Sequence, residues 1–211
     1  MAGKRSYQDP CGIARALDLV GERWALLVVR ELLYGARRFS DLHRTLPSLS
    51  QNVLSTRLRE LEEAGVVHRP YYGPPVGVHL YELTERGRGL EDVLVALARW
   101  GSLAPLPGEG ELSAAALVLA LRTTFRAADA PDADILLDLG EGRFHVRIRA
   151  GECTVAAAAP ETRADAVLRT SPAVLRDLVF AAGDVPGASG LGIEGDAGLA
   201  TRFLGWFPRP G

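Results

Sequence analysis

FSDLHRTLPSLSQNVLSTRLRELEEAG, residues 39–65, reads as a short helix, a turn and a longer helix with two unlike faces. At about 100° per residue, Leu54, Leu58 and Leu61 fall in one narrow stripe that should turn toward a core. The opposite side collects Asn52, Thr56 and Arg59, with Ser55 on its flank. These side chains hydrogen-bond to base edges, Asn to adenine and Arg to guanine. Ser50 stands directly before the periodic run, where an N-cap belongs, and Gly65 stands where a C-terminal glycine closes a helix. A polar helix face is commonly just solvated, so the stretch gains meaning from its surroundings.

Those surroundings supply a wing. Residues 66–72 alternate loosely, Gly73, Pro74 and Pro75 break the run, and residues 76–83 alternate again, the pattern of a hairpin. Leu90, Val93, Leu94, Leu97 and Trp100 then recur at helical spacing. Helix, turn, helix, hairpin, helix is a winged helix-turn-helix. The expected DNA-facing residues are Arg37, Arg38, Ser40, Ser50, Gln51, Asn52, Ser55, Thr56, Arg57 and Arg59, with Arg69 and His79 placed on the wing to meet phosphate or the minor groove.

Residues 11–24 (CGIARALDLVGERW), 26–32 (LLVVREL), 35–42 (GARRFSDL) and 54–65, with Pro74 and Pro75 before the second wing strand, resemble the HxlR-type transcriptional regulators. The resemblance runs from about residue 7 to residue 103. It implies a homodimer that sets two recognition helices in successive major grooves of a pseudo-palindromic double-stranded operator. It also implies dimerisation through the terminal helices, here those near residues 11–20 and 90–100. Glu22 and Arg23 depart from the Gly–Lys that commonly precedes the tryptophan in that family, at a position expected to cap a helix rather than to touch DNA. In several relatives a cysteine near the first helix responds to oxidation, which makes Cys11 a candidate redox site, with Arg15 one turn away. A small half-buried residue at a dimer seam is the other reading of Cys11.

The 211 residues allow two domains of about 100 each. The expected division is a DNA-binding and dimerisation domain over 1–104, a Pro/Gly linker over 105–110 and a second domain over 111–211. Residues 1–107 carry 14 Lys+Arg against 12 Asp+Glu and the remainder 10 against 14, so the net charge of −2 hides a mildly basic front half. Specific binding must then depend on where arginines sit, not on net charge. No apolar run is long enough to span a membrane, and the first nine residues lack a signal-peptide core, so a cytoplasmic protein with no membrane partner is expected. Cys11 and Cys153, in separate halves, make no disulfide framework. His43 and His68 have no partners at metal-ligand spacing, so no metal and no cofactor is expected. Trp24 shares a helical face with Leu27, Val28 and Leu32 and reads as a core anchor.

Beyond the linker, residues 112–128 read as a helix, and 134–139, 143–149 and 153–158 as strands joined by glycine turns at 140–142 and 150–152. Residues 166–169 form a fourth strand, Ser171 and Pro172 start a helix, 191–194 make a short strand, and 198–207 a closing amphipathic helix. The expectation is an α/β chain of two domains: a mostly α winged helix-turn-helix in front, an α+β domain with a mainly antiparallel sheet behind. Residues 164–178 (ADAVLRTSPAVLRDL) and 192–196 (GIEGD), with the apolar C-terminal helix, resemble the sterol-carrier-protein-like (SCP2) domain. That resemblance implies a sheet and helices around an apolar cavity, which Phe125, Phe144, Phe180, Phe203, Trp206 and Phe207 would line if they do not simply fill a core. No nucleophile elbow, phosphate loop or catalytic metal pair is present, so no enzyme is expected.

The combined expectation is a homodimeric transcriptional regulator tuned by a hydrophobic or lipid-like molecule held in the rear domain. The alternatives are a regulator signalled through Cys11 whose rear domain binds nothing, and a lipid carrier that has lost DNA binding.

Overall fold

A computed structural model of the chain describes residues 6–75, 77–104, 110–127, 129–180 and 189–207. The front half runs α1 (Gly12–Val20), α2 (Ala25–Leu32), α3 (Phe39–Thr45), α4 (Gln51–Glu63), β1 (Val67–His68), β2 (Tyr71–Tyr72), β3 (Val78–His79), β4 (Glu82–Leu83), α5 (Glu85–Arg88) and α6 (Glu91–Gly101). The rear half runs α7 (Ala114–Thr124), β5 (Ala133–Asp138), β6 (Arg143–Arg149), β7 (Glu152–Ala157), β8 (Ala166–Arg169), α8 (Pro172–Phe180), β9 (Gly192–Gly195) and α9 (Ala197–Leu204). The chain parts into two compact units between Leu94 and Val95, inside α6. Of the expected linker, residues 105–109 lie outside the described residues.

In the front unit the leucine stripe does what its spacing predicts. Leu54, Leu58 and Leu61 are buried against a core that includes Val28, Val29 and Leu32 of α2 and Leu42 of α3. α4 then ends in a left-handed turn. Gly65 has φ +66, its amide bonds to Glu62 O at 2.9 Å, and the Val66 amide reaches Leu61 O at 2.9 Å. This is the doubled closure that a glycine after a helix makes possible, with Val66 and Leu61 both buried beside it. Arg86 adds a cation at the same end, its guanidinium donating to Ala64 O at 2.9 Å.

The wing is one hairpin interrupted once. β1 pairs with β4 (Val67 opposite Leu83) and β2 with β3 (Tyr71 opposite His79), all antiparallel in a single continuous register. The gap falls at Arg69 and Pro70, since proline has no amide to donate to the ladder. Tyr81, left without a full partner there, exchanges backbone bonds with Arg37 at 2.9 and 2.8 Å, so a single bridge ties the segment before α3 to the stem. Thr84 caps α5 and donates its hydroxyl to Gly65 O at 2.7 Å. α5 lies so close beneath that a Cβ on Gly87 would stand 2.1 Å from Val66 O.

One front-half expectation is corrected. Trp24 is not on a helical core face: it precedes α2 as its N-cap, in the left-handed region at φ +79, half-buried under the Arg23 guanidinium 5.2 Å from its ring centroid. Leu27 is 38% exposed, and the buried apolar face of α2 belongs to Ala25, Val28, Val29 and Leu32.

In the rear unit one sheet runs in the order β7-β6-β5-β8-β9. It is mixed: three pairs are antiparallel, while β5 and β8 run parallel. β6 shows the two-residue alternation plainly, with Phe144, Val146 and Ile148 buried between charged neighbours. The core face they share receives α7 over β7 and α9 over β8 and β9. On the opposite face Asp134 collects basic side chains: His145 Nε2 lies 2.6 Å from Oδ1, Arg147 Nε 3.5 Å away, and Arg149 hydrogen-bonds Oδ2. Partial burial pushes the Asp134 carboxyl up, but the hydrogen bonds and charges of Arg149 and His145 outweigh it and hold the group below its ordinary value of 3.8.

Two stability experiments follow from this geometry. Gly65→Ala is expected to cost about 1–2 kcal/mol for its left-handed backbone, and Gly87→Ala at least as much, because its obstacle is a backbone carbonyl; urea unfolding of the two variants measures both. A carboxylate held below its usual pKa stabilises the fold above that pKa and loses the contribution as pH falls through the depressed value. The stability gap between the parent and Asp134→Asn should therefore be full at neutral pH and shrink below about pH 4; a pH-independent gap contradicts the ion cluster.

Candidate nucleic-acid interface

α4 begins where Ser50, in extended backbone, accepts the Val53 amide on its Oγ at 3.4 Å. The unpaired first-turn amides of a helix attract anions, so this end suits a phosphate. With the leucine stripe locked inward, Gln51, Asn52, Ser55 and Arg59 stand exposed. Arg59 is 69% exposed and only loosely paired, 4.0 Å from the exposed Glu63. Thr56 is half-buried and spends its hydroxyl on Asn52 O at 3.0 Å, which withdraws that proton from a base.

Arg57 departs from expectation. Its side chain is 13% exposed, with Nη1 2.6 Å from Glu60 and 3.5 Å from Glu22. It points back along the helix flank toward the turn before α2 and acts as an internal tie, not as an outward contact. Sequence reasoning missed this because Glu22 lies far away along the chain. It also missed Val53, 38% exposed on the first turn of α4.

Around α3, Arg38 and Ser40 are exposed at its start, the Arg38 amide bonding to Asp41 Oδ2 at 3.4 Å. Arg37 is half-buried, tied by its backbone to the wing stem. On the wing, Arg69 is exposed with its guanidinium 5.1 Å from the Tyr81 ring. Burial raises the Tyr81 pKa, and the Arg69 charge partly counters it. His79 is exposed and packs against Tyr71, ring centroids 5.1 Å apart. Tyr71, 60% exposed, is a wing residue that the sequence reading did not single out. Nearby, His68 Nε2 and the Tyr72 hydroxyl both meet Glu82 Oε1, at 3.2 and 3.1 Å.

Cys11 is exposed as the residue capping α1, its amide bonded to Asp9 Oδ1 at 2.8 Å. Of the rear aromatics, Phe125, Phe203, Trp206 and Phe207 pack ring against ring with centroids 5.0 to 6.3 Å apart. Phe144 is buried in the sheet and Phe180 half-buried on α8. A shallow cleft of about 370 Å3 near the cluster is rimmed by Arg126, Asp129 and Arg202 and reaches only Trp206 of the six. Phe125, Phe203, Trp206 and Phe207 thus fill space among themselves. Among the described residues no group of His, Cys, Asp or Glu is arranged to hold a metal, and no helix is long and apolar enough to cross a membrane.

Residues 19–105 match the profile of the family described as HxlR-like helix-turn-helix. The uncharacterized HTH-type transcriptional regulator YvaP of Bacillus subtilis (strain 168) is 42% identical over 89 residues, which cover 42% of this chain and 82% of YvaP. The chain belongs to the HxlR-like helix-turn-helix family. The uncharacterized HTH-type transcriptional regulator Rv3095 of Mycobacterium tuberculosis (strain ATCC 25618 / H37Rv) is 47% identical over 89 residues, 42% of this chain, and the chain spans 56% of that relative's length. Among solved structures, the redox regulator HypR in its oxidized form is 34% identical, covering 46% of this chain and 100% of HypR, with a TM-score of 0.43. The family match ends at residue 105, and the rear sheet lies beyond it.

The two neighbouring arginines of this HxlR-like α4 should separate cleanly in unfolding experiments. Arg57→Ala removes a nearly buried side chain together with its ion pairs to Glu60 and Glu22 and is expected to cost about 1–3 kcal/mol, whereas Arg59→Ala should stay within about 0.5 kcal/mol. Equal effects would contradict the inward tie.

Proposed function

We propose that two copies of this chain bind a pseudo-palindromic operator in double-stranded DNA and regulate transcription from it. Each copy lays Asn52, Ser55 and Arg59 of α4 in a major groove, with Gln51, Ser50, Arg38 and Ser40 near the backbone and Arg69 and His79 of the wing alongside. The observation that carries this reading is the rotation of α4: three leucines at 0 to 1% exposure leave no other face for the polar side chains. The two copies join through the terminal helices of a domain over 1–104. α1 leaves Ile13 and Leu17 exposed, and α6 leaves Val93, Leu97 and Trp100, each set at helical spacing. A reader of chromosomal DNA of this kind works in the cytoplasm.

The domain over 111–211, joined through 105–110, supplies the signal. Its resemblance to SCP2-like domains and its aromatic cluster support a hydrophobic or lipid-like effector, which must part rings now in contact. A second reading is favoured by the exposure of Cys11 at the start of a dimer helix: oxidation there alters the dimer. Cys153 is no rival, since burial pushes its thiol up to about 12, only partly countered by Arg122.

Anisotropy titrations of DNA flanking the gene test the first statement. Asn52→Ala combined with Arg59→Ala should weaken retention about tenfold or more, as loss of base-edge pairs does. Unchanged retention overturns the assignment, and no retention by the parent favours a carrier. Fatty acids that saturate the parent and shift its operator affinity support the effector reading; a response to peroxide that disappears in Cys11→Ser supports the other.

A further inference from the structure

The rear sheet has two edges of unlike character. β9 carries the usual protections: four residues, glycine at both ends, Gly195 at φ +82, and Glu194 ion-paired with Arg169. β7 carries almost none. It is six residues long, its one charge is Glu152 at the start, and residues 153–159 are uncharged and free of glycine and proline. The Ala158 amide bonds to Arg143 O at 2.9 Å, which sets the phase of the ladder with β6. In an antiparallel ladder bonding residues alternate, so Glu152, Thr154, Ala156 and Ala158 face β6. The amides and carbonyls of Cys153, Val155 and Ala157 therefore point away from the sheet, and among the described residues no hydrogen bond reaches them.

We propose that this edge seats a second copy of the chain, two β7 strands pairing antiparallel about a two-fold axis at Val155. The outward groups are self-complementary in that register. Val155 lies opposite Val155, and Cys153 of each copy opposite Ala157 of the other, giving about six backbone bonds across the seam. Glu152 falls opposite Ala158, so no carboxylate meets its like, and a β-branched pair sits at the centre. The small exposed side chains of Thr154, Ala156 and Ala157 leave the approach open. A foreign strand would meet the same amides, but the symmetric, uncharged register favours the chain itself. The pairing does not depend on DNA binding.

The test uses the full chain with Thr154→Cys and Ala156→Cys in a Cys11→Ser background. In the proposed register Thr154 of one copy faces Ala156 of the other as a non-bonded pair, at a separation a disulfide spans. Mild oxidation should give a covalent dimer on non-reducing gels, with the bridge mapped between positions 154 and 156 of different chains. Adding Ala157→Pro removes an outward donor without touching the ladder to β6, and should cut the yield about tenfold. A folded protein that yields no covalent dimer, a bridge joining 154 to 154, or a yield indifferent to Ala157→Pro each overturns the proposal. Operator retention measured on the same variants separates its failure from failure of the DNA reading.

Discussion

The rotation of α4 about its own axis governs what the front unit can present. Each leucine of the stripe contributes about 1.5–3 kcal/mol by leaving water. Turning the helix by one residue would bring Ser55 into the core in place of Leu54 and Arg59 in place of Leu58, at a cost comparable with the whole stability of a small domain. The ends reinforce this setting. Ser50 fixes where the helix begins, and the turn through Gly65 fixes where it stops and in which direction Val67 leaves. Thr84 and Arg86 then bond to the carbonyls of Gly65 and Ala64, so the far side of the wing returns to the same helix end. The polar face of α4 and the wing therefore share one junction.

The rear unit is organised by its sheet rather than by any single helix. α7 is buried along most of its length, and the aromatic residues around α9 close over the core face. The other face is held by charge, with Asp134 at its centre. An apolar effector entering between the rings would exchange contacts already made for contacts with itself, so affinity depends on how readily those rings separate.

Features governed by neighbours in sequence were legible before the structure. The leucine stripe, the Ser50 cap, Gly65, the strand over 143–149 and the Ser171 start of α8 all depend on spacings of a few residues. Features requiring distant partners were not. Nothing local marks Arg57 as the partner of Glu22, or β8 as parallel to β5. Trp24 was misread because helical periodicity was extended across the left-handed residue that begins α2. The six aromatics were identified correctly as apolar, but composition does not distinguish rings that contact one another from rings that line a void.

The interruption of the hairpin at Pro70 has an evolutionary corollary. Register continues unbroken across the gap, so a one-residue insertion in either strand beside it would turn Tyr71 or His79, whichever that strand carries, to the opposite face of the ribbon. The tip at Gly73–Pro74–Pro75 is under no such constraint, because it lies outside every paired residue. A change of length at the tip would leave the register of the stem as it is, whereas a change within the stem would shift it.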